Sequence, residues 1–66
     1  MMRFDFTKDE YEILRDRLML NDELATIFEM KIRGYSIVEM SMKLNMSEST
    51  IKRRVKEIRN KLEKVL

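Results

Sequence analysis

Apolar residues recur along the chain at the spacing of a helix. The longest such series falls at Ile51, Val55, Ile58, Leu62 and Val65. These steps of four and three residues place the side chains on one stripe of an α-helix. Nowhere do β-branched and aromatic residues alternate with polar ones over the length of a strand. The pattern predicts an all-α fold in a single domain.

Four helices are predicted, over about residues 8–19, 22–33, 37–44 and 48–65 of the 1–66 chain. Each begins at a residue whose side chain can accept a hydrogen bond from a first-turn amide, namely Thr7, Asn21, Ser36 and Ser47. Thr7 and Ser36 are each followed three residues later by glutamate, which completes a capping box. The starts of the helices are therefore the most strongly marked positions in the sequence.

Each of the first three helices has an apolar face that we expect to point inward. In the first helix the face comprises Tyr11, Leu14 and Leu18, with Ile13 and Leu20 beside them. In the second it comprises Leu24, Ile27, Phe28 and Ile32, with Met30 at its edge. In the third it comprises Ile37, Met40 and Leu44. Together with the stripe on the fourth helix, these faces supply the predicted core.

The junction of the third and fourth helices predicts a helix-turn-helix. Gly34, the only glycine, can end the second helix in a left-handed conformation. Asn45 can adopt the same conformation after the third helix, because asparagine tolerates it better than most residues. Ser41 is small enough for two helices to cross closely, and Met46 can fill the space beneath the turn. We therefore predict a tri-helical helix-turn-helix core with one additional N-terminal helix.

The charge is distributed unevenly between the two halves of the chain. Residues 1–30 hold four basic and eight acidic residues, a net charge of −4, whereas residues 31–66 hold ten and four, a net charge of +6. We expect a polyanion such as double-stranded DNA to bind the C-terminal half. The acidic half is expected to face away from phosphate or to contact another protein.

Several classes of function are disfavoured by composition. The chain has no cysteine and no histidine, so disulfides and cysteine- or histidine-ligated metals are excluded, and no cofactor is implied. No nucleophile has an evident base or metal partner, and we predict that the protein is not an enzyme. No apolar run approaches the roughly 20 residues of a membrane span. A cytoplasmic protein without membrane contact is expected.

The C-terminal two-thirds resembles the helix-turn-helix domain of LuxR/GerE-type transcription regulators. The resemblance covers about residues 21–62 and is carried by Gly34-Tyr35-Ser36, Leu44-Asn45-Met46 and the pattern Ser47-x-x-Thr50-Ile51-Lys52-x-Arg54-x-x-x-Ile58-x-x-Lys61-Leu62. Region 4 of sigma factors is similar over the same stretch and is the second choice. Both resemblances imply sequence-specific binding of double-stranded DNA, with residues 48–65 as the helix in the major groove.

The chain departs from the LuxR pattern in several places, among them the absence of the family's paired glutamates from the second helix. Arg54 stands where that family usually has histidine, and the third helix lacks the family's alanine. The helix that often mediates dimerisation in the family has no counterpart after Leu62, whereas an extra helix lies at the N-terminus. These departures suggest a stand-alone regulator of the size found in phages and mobile elements. A homodimer through Val65 and Leu66 with Leu20 or Met19 is one arrangement; packing of Val65 and Leu66 on the first helix is the other.

The resemblance also implies which side chains contact DNA. The resemblance implies that three side chains contact base edges, namely Lys52, Arg53 and Lys56. Lysine and arginine can donate hydrogen bonds to guanine O6 and N7. Six further residues are expected to contact backbone phosphates, namely Ser47, Ser49, Thr50, Arg54, Arg59 and Lys43. The structural alternative for each cation taken singly is a solvated surface charge.

A second functional hypothesis is a protein-interaction module. In that interpretation the domain docks on RNA polymerase or another regulator through Asp9, Glu12, Asp16 and Glu23. The two hypotheses overlap, because sigma-like proteins bind both DNA and polymerase. The target sequence, and whether binding activates or represses, do not follow from the residues.

Overall fold

The computed structural model describes residues 6–65, and this part of the chain contains four α-helices and no strand. The helices are α1 (Lys8–Leu18), α2 (Asp22–Ile32), α3 (Ile37–Leu44) and α4 (Glu48–Val65). The all-α prediction is confirmed. The first two helices each end one residue earlier than predicted.

The helix starts follow the predicted capping chemistry. Thr7 and Glu10 form a reciprocal pair, with the Thr7 amide donating to Glu10 Oε1 at 2.9 Å and the Glu10 amide donating to Thr7 Oγ1 at 3.2 Å. Ser36 and Glu39 repeat this arrangement at 2.9 and 3.1 Å. Asn21 Oδ1 accepts from the amide of Leu24 at 2.8 Å, so the first turn of α2 is capped as well.

The first three helices end in the same backbone motif. Met19, Gly34 and Asn45 have φ values of 53°, 90° and 56°, all in the left-handed region. In each case the amide of the next residue donates to the carbonyl five positions back, at 3.4, 3.0 and 3.1 Å, as in a Schellman motif. Gly34 and Asn45 were predicted to do this. Met19 was not, and its left-handed conformation is the reason that α1 stops at Leu18.

The fourth helix is the centre of the domain. Ile51, Val55, Ile58 and Leu62 are all buried, and α4 packs against each of the other three helices. The other helices contribute the rest of the core, namely Tyr11, Leu14, Leu18, Leu24, Ile27, Phe28 and Met40. Three half-buried residues pack against this core, namely Ile37, Leu44 and Met46. A helix with one buried stripe and three covering partners has a fixed orientation in the domain.

An aromatic cluster attaches α1 to α2. The ring of Phe28 lies 5.9 Å from that of Phe6 in an edge-on arrangement and 5.4 Å from that of Tyr11. The Tyr11 hydroxyl donates to the carbonyl of Ala25 at 3.2 Å. The extra N-terminal helix is therefore part of the core.

One apolar residue of α1 lies elsewhere than predicted, and one at the end of α4 is exposed. Ile13 is 59% exposed, because two residues at roughly 100° each place it about 200° around the α1 axis from buried Tyr11. The inward position predicted for Ile13 is wrong. Val65 is 42% exposed, although it continues the stripe of α4, because the covering helices do not reach it. Leu66 lies outside the described residues.

Candidate nucleic-acid interface

The turn between α3 and α4 is held by a side-chain hydrogen bond. The Ser41 hydroxyl donates to the carbonyl of Met46 at 2.6 Å and is itself half-buried. Met46 packs against the core, as predicted. With Asn45 in the left-handed conformation, these contacts fix the angle at which α4 leaves the turn. The first turn of α4 is therefore held in place relative to α3.

The start of α4 carries hydroxyl groups and helical amides. Ser47 Oγ accepts from the amide of Thr50 at 3.2 Å and lies 2.8 Å from Thr50 Oγ1. Ser49 is exposed on the same turn. Amides in a first helical turn have no intrahelical carbonyl partner and favour an anion. Glu48, also exposed, places a negative charge on the same turn.

Four exposed cations form what we call the cationic face of α4: Lys52, Arg53, Lys56 and Arg59. At roughly 100° per residue they span about 120° of the helix surface, on the side away from the buried stripe. Lys52 and Lys56, one turn apart, have Cβ atoms about 6 Å from each other. The structure therefore gathers all three residues assigned to base edges, together with Arg59, on one surface.

Arg54 lies on a different side of α4. It is about 160° around the axis from Lys56, at the flank that faces α2. Its Nε donates to Glu23 Oε1 at 2.5 Å, and its Nη1 lies 3.8 Å from Glu57 Oε1. The side chain is 38% exposed and is engaged within the protein. Arg54 is therefore separate from the cationic face.

Lys43 extends over an aromatic ring near the start of α3. Its Nζ lies 5.7 Å from the centroid of Tyr35, a distance compatible with a cation–π contact. The two hydrogen bonds with Ser36 hold the pKa of Glu39 below the usual value of 4.5, and the charge of Lys43 acts in the same direction. Lys43 is exposed, so its ammonium group is accessible on the surface of α3.

Asn60 was not among the predicted contacts. It is exposed and lies one turn beyond Lys56, within about 40° of it around the helix. An asparagine amide can pair with adenine N6 and N7 in the major groove. The step of three residues from Arg53 to Lys56, followed by a step of four to Asn60, is the sequence pattern that places Asn60 beside the cationic face.

Other kinds of site find no support in the described part of the chain. Among residues 6–65 there is no group of three histidine, cysteine or acidic side chains arranged to hold a metal ion. None of the four helices is both long and apolar enough to cross a bilayer.

The four helices, the capped turn and the cationic face define a helix-turn-helix domain. The family model of the ECF sigma factors matches residues 8–66, which include all four helices. The chain belongs to the ECF sigma factor family, whose members are non-enzymatic transcription proteins that contact DNA and RNA polymerase. The match agrees with the sigma factor region 4 resemblance; the LuxR/GerE-type resemblance and a phage or mobile-element source are not confirmed. No curated protein and no solved structure matches the chain.

Proposed function

We propose that the protein binds double-stranded DNA in a sequence-specific manner, with α4 lying in the major groove. The observation that carries this proposal is the cationic face, a cluster of four exposed basic side chains on the helix that the turn presents. A major groove about 12 Å wide admits one α-helix. Membership of a transcription family that contacts DNA supports the same function.

Within this proposal Lys52, Arg53 and Lys56 read base edges, and Arg59 and Lys43 contact the flanking phosphates. Residues Ser47, Ser49 and Thr50 and the first-turn amides of α4 hold a phosphate at the positive end of the helix. Phosphate contacts fix the register, whereas base contacts carry the sequence preference. Arg54 is not included in this set, because its guanidinium is engaged with Glu23 and lies close to Glu57.

Duplex binding with matched charge variants tests the proposal. A target is first selected from random duplexes, and its affinity is measured by fluorescence anisotropy. The double variant Lys52→Ala/Lys56→Ala should lose at least tenfold in affinity. The control Lys8→Ala/Arg17→Ala removes the same charge from exposed positions on α1 and should change affinity less than twofold. Equal losses in both variants would indicate that only net charge matters and would refute α4 as the recognition helix.

A second function is favoured by the surface of α1. Asp9, Glu12 and Asp16 are exposed and lie within about 60° of one another around the helix axis. We propose that this acidic face contacts RNA polymerase or another regulator, in agreement with the polymerase contact of the family. In a pull-down with polymerase, reversal of all three charges to lysine should abolish capture, whereas Lys52→Ala/Lys56→Ala should retain it. Capture that survives the reversal would refute the acidic face as the contact.

A further inference from the structure

A charged pair links α2 to α4, the helix that carries the cationic face. Glu23 belongs to the first turn of α2, and Arg54 lies in the second turn of α4, 31 residues along the chain. The Nε–Oε1 distance of 2.5 Å places the two charged groups in direct hydrogen-bond contact. Among the described residues, the other ion pairs join side chains no more than four positions apart in the chain. The Glu23–Arg54 pair is the one that connects two helices.

The surroundings of the pair restrict how Arg54 can move. Glu23 is next to Leu24, which is buried at 4% exposure, and Arg54 is next to Val55, which is buried at 5%. The cleft between the helices is lined by Asn21, Glu23, Leu24, Arg54 and Glu57. Two carboxylates therefore face one guanidinium, and the local charge of the cleft is negative. A phosphate approaching Arg54 there would meet two carboxylates, whose negative charges oppose its binding.

We propose that Arg54 is a positioning residue and not a phosphate contact. Through Glu23 it anchors the N-terminal half of α4 to the N-terminus of α2, and so reinforces the direction of the cationic face that the core packing of α4 gives. This inference rests on the proposed function of duplex binding. Under this inference Glu23 favours DNA binding, although its side chain is acidic.

The sign of the Glu23→Gln effect separates the two roles. If Arg54 contacted phosphate, Glu23→Gln would release the guanidinium and remove a negative charge, so affinity would rise. If Arg54 positions α4, the same change weakens the anchor and affinity falls. We expect a loss of about three- to fivefold, the size that a partly exposed ion pair can contribute. Glu29→Gln is the matched control, because Glu29 lies on α2 and pairs with Arg33, the C-cap residue of that helix, at 3.0 Å. It should not weaken binding.

The salt dependence of affinity gives an independent readout. Each phosphate contact that is lost reduces the slope of log K against log salt by about 0.9. For Arg54→Met we expect a three- to fivefold loss at every salt concentration with the slope unchanged. The double variant Glu23→Gln/Arg54→Met should lose no more than either single variant, since all three lack the same pair. A slope reduced by about one, or a gain in affinity for Glu23→Gln, would overturn the proposal.

Urea unfolding without DNA completes the test. The effects of Glu23→Gln and Arg54→Met on unfolding should be non-additive, because both remove one contact. Additive effects together with normal duplex binding would overturn the positioning role alone. A wild-type protein that binds no duplex would instead overturn the proposed function, and the DNA-positioning role with it, even if the coupling in unfolding persists.

Discussion

Substitution of Ser41 tests the turn between α3 and α4. Ser41→Ala removes the 2.6 Å hydrogen bond to the Met46 carbonyl, a contact worth about 1–1.5 kcal/mol. Alanine returns up to about 0.5 kcal/mol through its higher helix propensity. The expected net loss is about 0.5–1 kcal/mol, which lowers Tm by roughly 2–8 °C in a domain of this size. Thermal and urea unfolding followed by far-UV circular dichroism measure it.

The larger substitution Ser41→Leu tests the close approach of the helices at the same position. It removes the hydrogen bond and adds a bulky side chain, and overpacking typically costs about 1–3 kcal/mol more. Met42→Leu is the control, because Met42 is 71% exposed on the same helix and should change stability by less than about 0.5 kcal/mol. A Ser41→Leu variant as stable as the wild type would refute close packing here, and an unaffected Ser41→Ala would refute the role of the hydrogen bond.

Three further predictions concern single residues. Arg53→Ala should relax base preference at one position of the selected duplex by about 1–3 kcal/mol, whereas Arg59→Ala should weaken all duplexes alike and reduce the salt slope by about 0.9. Binding to a panel of single-base variants separates these outcomes, and equal behaviour of the two variants would contradict the assignment. Met19→Gly should stabilise the protein by about 1 kcal/mol, because Met19 adopts a left-handed φ of 53° with its side chain exposed. Urea unfolding measures the change, and a destabilised variant would contradict the prediction. The lowered pKa of Glu39 means that its capping contribution to stability is fully present above pH 4.5 and is lost as the pH falls through the pKa of the folded state. The wild type should therefore lose more stability than Glu39→Gln over that acidic range. Parallel profiles of stability against pH for the two proteins would contradict this prediction.

The helix starts and the core of α4 could be predicted because their causes are local. A capping box is formed by residues three apart, and the buried stripe of Ile51, Val55, Ile58 and Leu62 is a repeat along one helix. Met19 was missed because its side chain gives no signal for a left-handed turn; the conformation is imposed by the Schellman hydrogen bonds around it.

The sequence was sufficient to predict which helix carries the candidate site, but not the contact of every basic residue on that helix. Lys52, Arg53 and Lys56 share a face because of their spacing, which the sequence contains. The partner of Arg54 does not follow from spacing, since Glu23 is 31 residues away and meets it only when α2 packs on α4. Without that packing, Arg54 was indistinguishable from the cations that remain on the cationic face.

The salt dependence of duplex binding by the wild-type protein tests the central claim most directly. If only Lys43 and Arg59 neutralise phosphates, the slope of log K against log salt should be about −2, and if Lys52, Arg53 and Lys56 also release counterions it should approach about −4.5. We predict a slope between these values for a selected duplex, with a random duplex bound more weakly. Affinity that does not change with salt, or no binding to any duplex at low salt, would contradict the account.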